Sequence, residues 1–291
     1  MNEAYKSRIE RGEHPAEMLK NKLREQVRST NRSVGEVYGL ADLLREDGSI
    51  NPDEYTELFS EKQLQDDAER AIRRELEFSN ALNPATQSFY KQHHGADTVA
   101  DLLRIWKEHK SLEKNNQMEM AVTLLLSKML GNEFLVARTA SIDDYDHGVD
   151  NIILDYSTGE VVGAFDEVHQ SDNGERLAKK KEKIQKVADR GGAKVRYGLK
   201  LEDGKLTRAE LEGVPVFYLG LNSEELGGLV TALRNDDTVV LEETFKKLID
   251  SLQTQQNELS KNARHEQFQK KLGKFAEMLK RVSMEGEKEA F

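Results

Sequence analysis

Gly148-Val149-Asp150-Asn151-Ile152-Ile153-Leu154-Asp155-Tyr156 and Val161-Val162-Gly163-Ala164-Phe165-Asp166-Glu167-Val168-His169, joined by Ser157-Thr158-Gly159-Glu160, are the segments whose reading decides the fold. Both runs are rich in branched and aromatic residues, and a glycine lies between them, so they read as an antiparallel hairpin. A turn of two residues (Thr158-Gly159) or of four (Ser157 to Glu160) sets Asp150 directly opposite Glu167. Side chains alternate along a strand, so Asp150, Ile152, Leu154 and Tyr156 are expected to share a face with Val161, Gly163, Phe165, Glu167 and His169. Asp166 then falls on the other face beside Asn151, and Asp143, Asp144 and Asp146 read as loop acids ahead of the strand. Two carboxylates and an imidazole meet at one end of an apolar face. Like charges directly opposed destabilise a sheet, and the natural counter-ion is a hard divalent cation with oxygen ligands.

Working outward, Gln117 to Leu130 carries Met118, Val122, Leu125 and Met129 at helical spacing and ends at Gly131-Asn132. Glu133 to Ser141 is a further β-type run. After the hairpin come a lysine-rich helix from about Asn173 to Arg190, strands at Lys194–Leu201 and Val214–Leu221, and a helix from Ser223 to Leu233 despite Gly227-Gly228. The order is that of a small α/β domain, placed at 113–236. Upstream, residues 1–112 show helical spacing. Pro15, Asn51-Pro52 and Asn83-Pro84 mark helix starts, and Ser33-Val34-Gly35-Glu36 reads as a capping box. Downstream, 237–291 is a helical extension with two apolar seams, Leu241 to Leu252 and Phe268 to Val282. The break between them suggests a hairpin or bent helix, expected to pack within the chain rather than form a dimer.

The chain has 291 residues, of which 37% are hydrophobic and 33% charged, enough apolar residues for a sizeable core. Absence of cysteine excludes disulfides, thiolate zinc sites and a cysteine nucleophile. No signal-peptide or membrane-spanning run is seen, so a soluble, cytoplasmic protein is expected. The net charge of −10 is unevenly spread: between Arg176 and Lys200 there are ten Lys and Arg against Glu182 and Asp189. An acidic chain with one basic segment can hold a phosphate backbone locally.

The residues Gly148 to Ile153 and Gly163 to His169, in this element order, resemble the PD-(D/E)xK phosphodiesterase superfamily, the restriction-endonuclease-like fold. The resemblance spans about Gln117 to Leu221. It implies an αβββαβ core in which Asp150 and Glu167 bind Mg²⁺ or Mn²⁺, with the Val168 carbonyl as a further ligand. It also implies that Glu119 is an additional acid on the preceding helix. His169 stands where the family has lysine, which makes it the candidate base; in some relatives the lysine has moved to the following helix, where Lys179, Lys180 and Lys181 lie. Lys179, Lys180, Lys181, Lys183 and Lys186 would contact the backbone of nucleic acid, DNA in the first instance. The implied activity is metal-dependent phosphodiester hydrolysis. The alternative is a catalytically inactive module of the same fold that binds protein or nucleic acid. The flanking helices would clamp substrate, mediate a homodimer or recruit a protein partner.

Other signals are weaker. Asp47-Gly48-Ser49-Ile50 with Glu54 resembles half an EF-hand loop, but Leu43 and Arg45 occupy positions that need acids. His93-His94 reads as a surface pair, Gly191-Gly192 and Gly227-Gly228 lack a phosphate-cradle setting, and no Gly-x-Ser-x-Gly element occurs. Trp106, the single tryptophan, is expected to pack in the helical region.

Overall fold

Capping chemistry sets most of the helix starts in the computed structural model, which describes residues 14–170 and 175–288. Pro15 occupies the first position of α1 (Pro15–Tyr38). Asn83 caps α3 (Pro84–His94) by accepting from the Ala85 N–H at 2.8 Å. Ser60 with Gln63 and Thr98 with Asp101 form reciprocal boxes at α2 (Glu61–Phe78) and α4 (Val99–Ser111). Two expected starts differ. Asn51-Pro52 opens only a single 3₁₀ turn, Pro52–Glu54. Ser33 to Glu36 lies inside α1, because buried Leu19, Leu23, Val27 and Val34 continue one apolar stripe through it.

Helix α5 (Lys114–Leu130) is apolar on nearly every side, since it is covered by α1 and lies against the sheet. The sheet has the order β1-β2-β3-β6, with β1 (Phe134–Arg138), β2 (Asn151–Asp155) and β3 (Glu160–His169) antiparallel and β6 (Val216–Leu221) parallel to β3. A parallel neighbour needs a crossover, supplied here by α7 (Glu175–Asp189) and a separate hairpin of β4 (Ala193–Glu202) and β5 (Lys205–Val214). The expected start of α7 at Asn173 lies outside the described residues. Strand β5 was not anticipated: Leu206, Ala209 and Val214 are buried, but Lys205, Arg208, Glu210 and Glu212 break up the apolar pattern, and only the Asp203-Gly204 turn, with both residues at positive φ, announces it. A short helix α6 (Ser141–His147) occupies the place expected to be strand end and loop.

Helix α8 (Ser223–Asn235) runs through Gly227-Gly228, held by an Asn222/Glu225 capping box and buried Leu226, Leu229, Val230 and Leu233. Helices α9 (Thr238–Asn262) and α10 (Glu266–Lys288) form the hairpin implied by the two seams, and both seams are buried within the chain. Phe275 of α10 stacks on Phe217 (centroids 4.1 Å apart) and lies over Gly163, where a Cβ would come within 2.8 Å of its ring. Gln255 of α9 accepts from the Tyr218 N–H and donates to its carbonyl, both at 2.9 Å, satisfying the outer edge of β6. One apolar core runs from Ala16 to Val282, and a small second cluster of Ala81, Ala96, Leu102 and Ile105 joins α3 to α4. No helix among the described residues is long and apolar enough to cross a membrane.

Candidate functional site

The hairpin forms one residue out of the expected register. Asn151 pairs with Phe165, Ile152 with Ala164 and Ile153 with Gly163; after a bulge, Leu154 pairs with Val161 and Asp155 with Glu160. The cause is Asp155, whose Oδ1 accepts from the Ser157 N–H (2.8 Å) and hydroxyl (2.7 Å), starting the turn at Tyr156. The expected face is thereby corrected. Glu167 shares its side of the sheet with Asn151, Ile153, Gly163 and Phe165, and Asp166 lies on the opposite side from Asn151.

Asp150 and Glu167 nevertheless meet, because Asp150 stands just ahead of β2. Its backbone is held by Phe165 and Thr139, and its Oδ2 accepts from the Glu167 N–H at 2.7 Å. The Glu167 carboxyl is 7% exposed; its Oε1 accepts from Asn151 Nδ2 at 2.8 Å, while the buried Oε2 has no hydrogen-bond partner. Burial and the adjoining Asp150 carboxylate push its pKa well above the ordinary glutamate value.

Two further acids complete the cluster. Glu119, on α5, is paired with Arg138 of β1 at 2.6 Å; burial raises its pKa against the pull of Arg138, and Asp150 adds to the rise. Asp144, expected to be a loop acid, sits on α6 and is pushed up to about 8 by burial, Asp150 and Glu119. Its position is set by Asp143, fully buried, which accepts from the Arg196 and Tyr197 N–H groups (2.7 and 3.0 Å) and so ties α6 to β4. Burial lifts Asp143 to about 6 despite those two donors. The sequence reading sets Asp144 among the loop acids and gives Arg138 no role; the local signal for α6 is the Ser141-to-His147 run stopped by Gly148, which takes a positive φ.

The lysines of α7 divide. Lys180 turns inward to pair with the buried Asp166, and Lys183 lies 3.9 Å from the same carboxylate. Burial lowers the Lys180 pKa, and the attraction of Asp150, Asp144 and Glu119 opposes that fall. Lys179 and Lys186 pair with Glu175 and Glu182 on their own helix, and Lys181 lies over the Tyr218 ring. His169 Nε2 is 3.1 Å from Ser223 Oγ, which also accepts from Lys114 Nζ. The Val168 carbonyl is directed elsewhere. Ala164 and Gln170 both donate N–H groups to carbonyls flanking or within β6, so alternation aims the Val168 peptide groups at β6 and away from Asp150.

An all-carboxylate donor set suits a hard cation such as Mg²⁺ or Mn²⁺, and the orphaned Glu167 Oε2 is an acceptor lacking its counterpart. Among the described residues, however, no three His, Asp or Glu side chains are disposed to hold an ion as they stand. The raised pKa values of Asp144 and Glu167 have one cause in common, burial of carboxyl groups beside Asp150. Glu119, Asp144 and Arg138 form the inner wall of a cleft of about 770 Å³ whose other walls come from α1, α2 and α4. Comparison with protein-family models, curated proteins and solved structures returns no match.

Proposed function

We propose that this chain is a divalent-metal-dependent phosphodiesterase acting on nucleic acid, with a PD-(D/E)xK-like core. The element order supports the reading: α5, β1, β2, β3, α7 and β6 follow the αβββαβ pattern, with α6 and the β4–β5 hairpin added. The observation that carries it is the approach of the Asp150 carboxylate to Glu167, at the N–H and at a buried carboxyl with one unpartnered oxygen. In this reading Asp150 and Glu167 hold the metal, and Glu119 or Asp144 completes the set. A bound Mg²⁺ or Mn²⁺ would acidify a water and polarise the phosphate. Lys180 takes the part assigned by resemblance to a lysine: its ammonium, held by Asp166 within the field of Asp150, is placed to stabilise charge developing on the phosphate. This reading gives His169, whose Nε2 meets Ser223 Oγ, no role in the chemistry.

The test is cleavage of single- and double-stranded DNA and RNA by the purified protein with Mg²⁺ or Mn²⁺. Activity abolished by both Asp150→Ala and Glu167→Ala is expected; activity indifferent to both overturns the proposal. The second reading, an inactive module of the same fold, draws on the prior engagement of Glu119 by Arg138. It predicts no heat of Mg²⁺ or Mn²⁺ binding in calorimetry.

A further inference from the structure

The cleft above the acid cluster is built for a particular form of substrate. On one wall the Lys110 ammonium lies 5.4 Å from the centroid of the Trp106 ring and 5.7 Å from that of Tyr145, so a cation is set between two aromatic rings. Among the described residues Lys110 makes no ion pair within 4.0 Å, although its charge acts on Glu119 and Asp144, whereas the neighbouring wall cations Arg24 and Lys107 are in contact with Glu46 and Glu75. Ile72, half exposed, adds an apolar contact on the α2 side. At the inner end lie Glu119 and Asp144. Aromatic faces interleaved with a cation form a surface on which unpaired bases stack while a phosphate is neutralised.

The rings decide between strand types: a base stacks on Trp106 or Tyr145 only when its face is exposed, which an unpaired strand offers and a continuously stacked duplex does not.

We infer that this cleft binds single-stranded nucleic acid, stacking a base on Trp106 beside a phosphate held by Lys110, and leads the strand to the acid cluster. The inference rests on the phosphodiesterase reading for what happens at the inner end, but binding itself needs no metal. It assigns the N-terminal helices a role as the walls that select unpaired strands. It also separates recognition from α7, whose outer lysines Lys179 and Lys186 are already matched by glutamates on the same helix.

Because Trp106 is the single tryptophan, its fluorescence reports the cleft without a label. The full chain in EDTA is titrated with eight-nucleotide deoxyribo and ribo single strands and with a blunt hairpin duplex. Saturable quenching by one or both single strands and none by the duplex is expected, and the two single-strand arms show which sugar is preferred. The logarithmic salt slope should correspond to about two phosphates. Trp106→Leu, followed by anisotropy of a labelled strand, should weaken binding about tenfold. Lys110→Gln should weaken it several-fold and reduce the salt slope by about one phosphate. Lys179→Glu should leave it within twofold. Trp106→Phe keeps a ring in the helical packing and should retain most of the affinity, which separates lost stacking from misfolding.

Equal or stronger quenching by the duplex, or single-strand binding unchanged in both Trp106→Leu and Lys110→Gln, overturns the inference. Tight single-strand binding with no cleavage in Mg²⁺ or Mn²⁺ supports the cleft assignment while removing the phosphodiesterase reading. Cleavage without any change in Trp106 fluorescence does the reverse.

Discussion

The side-chain amide of Asn151 donates to Glu167 Oε1 at 2.8 Å, while the Thr123 hydroxyl shares its one proton between the Glu119 carbonyl at 2.7 Å and Asn151 Oδ1 at 3.0 Å. This chain of side chains ties α5 to β2 and β3 and fixes the Glu167 carboxyl with one oxygen satisfied and the other bare.

A consequence for stability follows from burial. Burial and the adjoining Asp150 carboxylate raise the Glu167 pKa and so favour its neutral form, which Glu167→Gln mimics in charge and nearly in shape. Urea unfolding in EDTA should place that variant within about 1 kcal/mol of the parent. Glu167→Ala leaves Asn151 unpaired and opens a cavity, and should cost about 2–4 kcal/mol.

Catalysis should distinguish the cations near the sheet. Lys180→Ala removes the ammonium held by Asp166 beside the acids and should lower the metal-dependent cleavage rate about a hundredfold. His169→Ala, at a ring occupied by Ser223, should change it less than threefold. The reverse order of effects in steady-state kinetics would restore His169 as the base.

Asp67 joins α2 to β4. It is 4% exposed and accepts from Tyr197 Oη at 2.6 Å and from the guanidinium groups of Arg70 and Arg196. Burial pushes its pKa up, but these donors outweigh burial and hold it below 3.8. A depressed folded pKa contributes stability above the unfolded value and loses it as pH falls through the folded one. Asp67→Asn should therefore cost about 2–3 kcal/mol at pH 7, and the deficit should shrink as the pH drops below 4 in denaturant titrations.

Gly163 is required by the ring above it. A Cβ there would lie 2.8 Å from Phe275 Cε2, so Gly163→Ala should destabilise by about 1–3 kcal/mol. Combining it with Phe275→Leu should recover part of the loss relative to additivity, read as thermal midpoints in a double-mutant cycle.

The helices were legible because their signals are local. Proline at the first position of α1 and α3, and the 4-3-4 seams of α9 and α10, depend on neighbours three or four residues away. Failures arose where a long-range partner outweighed such a signal, as when the buried stripe of α1 carried it past Ser33. The proximity of Asp150 and Glu167 was anticipated, but by a pairing that does not form. The Asp155 side chain moved the turn by one residue, and the two acids meet through the Glu167 N–H instead.

The amino-acid order by itself determined most of the succession of helices and strands (α6 and β5 excepted), the β2–β3 hairpin and the acids Asp150 and Glu167 at its open end, because periodicity and turn chemistry act over a few residues. Only the tertiary structure decided that Asp144 joins those acids, that Lys180 lies within their field and that N-terminal helices wall the cleft. Those outcomes depend on burial and electrostatic fields between residues up to about a hundred positions apart, and nothing in local spacing encodes them.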